Sequence, residues 1–94
     1  MKQYSRISSV LKTAFNAEDG LSLEVSKRLY ERLVTRSPGF EGFKAELAEA
    51  FENPRTSWKS LLLNDQYEVY DAINEMEARD YAFSILWLPL QDNL

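Results

Sequence analysis

Residues 56–89 read TSWKSLLLNDQYEVYDAINEMEARDYAFSILWLP, and the parsing of this stretch decides the fold. It carries both tryptophans and three of the five tyrosines. Ser57 stands where an N-cap would stand for a short helix over 58–63, because its hydroxyl can accept from an orphaned helix-end N–H. Asn64 and Asp65 turn the chain into Tyr67-Glu68-Val69-Tyr70, an alternating run of β formers that predicts a short strand. A lone strand needs a partner edge, and no second run of this quality exists in the sequence. Asn74 and Glu77 have capping-box spacing, so a helix is predicted over 75–88, with Glu75, Glu77 and Asp80 in its first turns where the dipole favours anions. Its second half is apolar on nearly every face, as in a helix central to a fold or covered by another chain. Pro89 is predicted to stop it and leave 91–94 as a loose tail.

Working outward, three more helices precede this stretch. Tyr4, Ile7, Val10, Leu11, Ala14 and Phe15 recur at helical spacing and predict a helix over 4–15. Residues 17–20 read as a turn, with Gly20 free to adopt a positive φ. Ser22 is a fitting N-cap for a second helix reaching Thr35, with Glu24 in its first turn. Val25, Leu29, Leu33 and Val34 are its expected core face, with Tyr30 at the edge. Lys27–Glu31 and Arg28–Glu31 are its expected local ion pairs. Pro38 and Gly39 break the chain. A third helix is predicted over 40–52, with Phe40, Phe43, Leu47, Ala50 and Phe51 on one stripe and Glu41, Glu46, Glu49 and Glu52 on the other side. Each of the three phenylalanines would contribute ~2–3 kcal/mol on burial. The expected architecture is therefore mainly α: one small domain, residues 1–94, of four to five helices with one short β-strand region.

Composition narrows the function. The chain has 94 residues, neither histidine nor cysteine, and a formal charge of −4. Without those side chains there is no zinc site of the usual kind, no thiol nucleophile and no imidazole base. No carboxylate pair or glycine-rich phosphate loop takes their place, so the expectation is a protein that is not an enzyme and uses no cofactor or metal. No signal-peptide core or membrane-spanning run is visible, which makes the cytoplasm the expected location and a membrane role unexpected.

The charge is unevenly divided. Residues 1–36 hold seven basic and four acidic side chains, whereas residues 37–94 hold four and eleven. Within 64–80, Asp65, Glu68, Asp71, Glu75, Glu77 and Asp80 stand against Arg79 alone. Tyr67 and Tyr70 are interleaved with them. Nucleic acid is an unfitting direct partner for such a surface, which lacks the basic footprint that phosphates need. A basic protein fits: carboxylates steer it in, and tyrosines supply buried contacts. The eight residues Asp65, Tyr67, Glu68, Tyr70, Asp71, Glu75, Glu77 and Asp80 are the candidate partner-binding site. Calcium is disfavoured, because these acids lack the spacing and glycine of a calcium loop.

A family likeness emerges from the same segment. Phe43, Glu46, Leu47, Ala50, Phe51, Asn53, Pro54, Ser57, Trp58, Leu61 and Leu62 form a pattern followed by the acidic Tyr67–Tyr70 run and a helix ending Leu86-Trp87-Leu88-Pro89. Over residues 43–89 the chain resembles small bacterial immunity proteins of the contact-dependent growth inhibition type. The resemblance implies a protein that binds the C-terminal domain of a cognate toxin, often a basic nuclease, and blocks its working surface. These families have no universal binding residues, so the site above rests on charge and aromaticity. The alternative reading is a structural or regulatory module that homo-oligomerises through Ala82, Phe83, Ile85, Leu86 and Trp87.

Overall fold

A computed structural model describes residues 4–16, 20 and 22–93. Among these residues it contains five α-helices: α1 (Ser5–Ala14), α2 (Leu23–Thr35), α3 (Phe40–Glu52), α4 (Trp58–Leu62) and α5 (Glu75–Ala82). Three of them start at the expected caps. Ser22 accepts from the Val25 N–H at 3.3 Å, Ser57 from the Ser60 N–H at 3.3 Å, and Asn74 from the Glu77 N–H at 2.8 Å. α1 has no side-chain cap of its own. Glu46 of α3 supplies one across the fold, accepting the Ile7 N–H at 2.8 Å and placing a carboxylate at the positive end of α1.

α1 packs against α2 and α3, while α4 packs against α5. Ile7, Leu11, Tyr30, Leu47, Leu62, Ile85, Leu86 and Leu90 are the largest fully buried side chains and tie both groups into one core. The radius of gyration is 12.2 Å, close to the ~13 Å of a single domain of about 100 residues. On α3, Phe43 is buried, whereas Phe40 and Phe51 are only partly covered. Phe51 stacks on the buried Trp58 at 4.4 Å, and Lys44 pairs with Glu41 at 3.1 Å. Among the described residues Lys27 pairs with Glu24 at 3.9 Å and not with Glu31.

α2 presents a different face from the one its aliphatic residues predict. Ser26, Tyr30 and Val34 point inward, and Val25, Leu29 and Leu33 are exposed. Tyr30 decides this rotation. Its ring lies 5.4 Å from Phe15 and 5.9 Å from Phe43, and its hydroxyl donates to the Leu86 carbonyl at 2.7 Å. A leucine in that place could bury comparable area but could not satisfy the carbonyl.

The strand expected over 67–70 reduces to a single antiparallel bridge between Leu63 and Glu68. The Leu62 carbonyl accepts from Val69 at 2.7 Å and Tyr70 at 3.2 Å, and Asn64 donates to the Tyr67 carbonyl at 3.1 Å. The segment thus lies extended against the end of α4. One helix end offers too short an edge to extend a ladder.

The last helix is also not uniform. α5 ends at Ala82, continues as a π-helical segment Phe83–Trp87, and tightens to a 3₁₀ segment Leu88–Asn93. Helical winding therefore runs on past Pro89, Leu90 is fully buried, and residues 91–93 of the expected tail continue the 3₁₀ segment, while residue 94 lies outside the described residues. Leu86 lies in the π segment, and its carbonyl accepts from the Tyr30 hydroxyl of α2 at 2.7 Å. Gly20 has φ of 69°, as the turn requires, while residues 17–19 of that turn lie outside the described residues.

A candidate protein-binding surface

The eight predicted site residues divide into three groups. Tyr67 is a core residue, only 6% exposed, and its hydroxyl has no hydrogen-bond partner among the described residues. It faces inward because the 67–70 run closes over α4. The expectation placed it on the surface, and its burial in the core leaves little of it for a partner to touch.

Glu75 and Glu77 are occupied by the fold. The Glu75 carboxylate accepts from the Ser57 hydroxyl at 2.8 Å and the Lys59 N–H at 2.9 Å, placing its charge at the start of α4. Glu77 accepts from the Tyr70 hydroxyl at 3.0 Å and the Ile73 N–H at 3.1 Å. The capping box is thus half reciprocated: Asn74 caps Glu77, but Glu77 reaches back to residue 73. Tyr70 stacks on Tyr81 at 4.0 Å with ring planes 7° apart. The Glu77 carboxylate, through this hydrogen bond and its charge, raises the Tyr70 pKa, and burial raises that of Tyr81. Tyr70 is half-buried, with its ring face committed to Tyr81 and its hydroxyl to Glu77.

Asp65, Glu68, Asp71 and Asp80 remain exposed. Arg79, the lone cation of the acidic window, is turned toward α3. It lies 5.4 Å from the Phe51 ring centre and donates to the Phe51 carbonyl at 3.4 Å. Among the described residues none of the four exposed acids has an ion-pair partner. Two side chains missed by sequence reasoning complete the surface. Ile73 is 79% exposed and Met76 is 76% exposed. Met76 and Asp80 lie one turn apart on α5, and Asp71 and Ile73 precede its cap Asn74. An aliphatic pair dispersed among acids gave no periodic signal, so hydropathy could not single it out.

Ser57 donates to a carboxylate, but that carboxylate also caps α4 and is used as a helix acceptor. Among the described residues no three carboxylates converge on a metal position, and no helix is long and apolar enough to cross a membrane. Of the five residues expected to form an oligomer surface, Ala82, Ile85 and Leu86 are fully buried within the chain, whereas Phe83 and Trp87 are partly exposed and pack at 5.6 Å and 6.0 Å against Phe51. No protein-family model, curated protein or solved structure matches the chain.

Proposed function

We propose that this protein is a non-enzymatic inhibitor that binds a basic protein through its 65–80 face, in the manner of an immunity protein neutralising a cognate toxin domain. The observation that carries this reading is the pair of apolar side chains, Ile73 and Met76, projecting from a surface of uncompensated acids. Exposing such side chains in water is unfavourable, and burying each against a partner would recover on the order of 1.5–3 kcal/mol. Asp65, Glu68, Asp71 and Asp80 would set the sign of the partner and its approach. A nuclease domain carries a basic surface for phosphates, so carboxylates in their place would occlude it. The cytoplasm, where such a toxin acts, is the proposed location.

The test is co-expression of the tagged protein with the product of the gene preceding its own, followed by purification at low salt. The proposal expects a stoichiometric complex that weakens as salt rises and is lost on replacing Ile73 and Met76 by serine. The protein emerging alone, or a complex indifferent to those substitutions, would count against it.

A further inference from the structure

We propose that α2, on the basic half of the chain, forms a second docking surface whose occupant is an acidic amphipathic helix of a protein partner. Val25, Leu29 and Leu33 are 46%, 36% and 41% exposed and recur every four residues, forming an apolar ridge along the helix. Arg28, Arg32 and Arg36 run beside it at the same interval, all exposed, and among the described residues no carboxylate pairs with them. The ridge ends in a groove of about 300 Å³ where Leu33 meets Val10 and Phe40, with Arg6 on its margin. That volume, at the lower end of the range of ligand pockets, has room for an inserted side chain.

A parallel apolar row, arginine row and terminal groove are the features a helix-in-groove contact uses. The charge selects the occupant: a helix with leucine-like anchors flanked by carboxylates matches both rows at once. A flat lipid surface could not fill the concave groove, and Glu24 and Glu31 on the same helix oppose an anionic bilayer. A second copy fits less well. Antiparallel twofold packing of two α2 ridges would bring both arginine rows to one edge. The chain's own acidic helices have also committed their apolar faces, Phe43, Leu47 and Ala50 on α3 and Ala78 and Ala82 on α5, to its core.

The experiment titrates the full chain into a fluorescent synthetic helix bearing leucines on one face and glutamates beside them. An isomer with lysine for glutamate, phosphatidylserine vesicles, and light scattering of the protein alone are run in parallel. The glutamate helix should bind with an affinity that falls with salt. The Arg28→Glu/Arg32→Glu variant and, separately, Leu29→Asp should weaken it about tenfold or more. Both alter exposed positions, so circular dichroism should be unchanged. Asp71→Lys, at an exposed position outside α2 and its groove, should leave this binding intact. Equal binding of the lysine isomer, binding of neither helix, preference for vesicles, or dimerisation abolished by Leu29→Asp would each overturn the proposal.

Discussion

The Tyr30 hydroxyl links α2 to the π segment after α5 by donating to the buried Leu86 carbonyl. Replacing Tyr30 by phenylalanine keeps the ring but leaves that buried carbonyl without its donor. The variant should lose ~1–3 kcal/mol in chemical denaturation. Burial also raises the Tyr30 pKa above its ordinary value of 10.0. A raised folded-state value means that stability is full below pH 10.0 and declines as pH climbs toward the folded-state value. Alkaline destabilisation should therefore be shallower in Tyr30→Phe than in the native chain. The glutamates supply a second comparison at this scale. Glu75→Ala removes the acceptor of two α4 donors and should cost ~1 kcal/mol, whereas Asp80→Ala should stay within about 0.5 kcal/mol of native. Urea denaturation separates them. The sequence shows all these carboxylates as one acidic run. Which ones are engaged depends on distant partners such as Ser57 and Tyr70, and no local spacing encodes that.

At the scale of elements, Ser22, Ser57 and Asn74 mark three helix starts because capping is a short-range interaction between neighbours in sequence. Pro38-Gly39 and Asn53-Pro54 likewise mark boundaries through backbone sterics alone. The roll of α2 was not legible, since it depends on Tyr30 finding the Leu86 carbonyl 56 residues away. The strand over 67–70 was overread for a related reason: its alternation is real, but a ladder depends on an edge elsewhere. The π and 3₁₀ windings after Ala82 were not legible, because apolar composition indicates only helix. α3 offers a test of local propensity. A Cβ on Gly42 would meet only the far end of the flexible Arg6 side chain, at 3.4 Å. Gly42→Ala should therefore stabilise the protein by ~0.5–1 kcal/mol, read from the thermal or urea midpoint.

Across the whole molecule, charge and exposed apolar surface are segregated. The basic half exposes aliphatics on α2, and the acidic half exposes Ile73 and Met76. The acidic character of 65–80 was legible from composition, but the two apolar residues were not, because their exposure is a property of the assembled fold. Ile73 and Met76 touch little of their own chain, so Ile73→Ser and Met76→Ser should weaken partner binding without lowering stability, as paired denaturation and binding curves would show. The most direct measurement is calorimetric titration of the complex formed with the neighbouring gene product, across a salt series, using native protein, Glu68→Lys/Asp71→Lys, and Glu31→Lys on α2 as a charge-reversal control outside the 65–80 segment. The acidic-face account predicts affinity that falls with salt, drops about a hundredfold in the double variant and barely changes in the control. Affinity that is independent of salt, or reduced equally by Glu31→Lys, would contradict it.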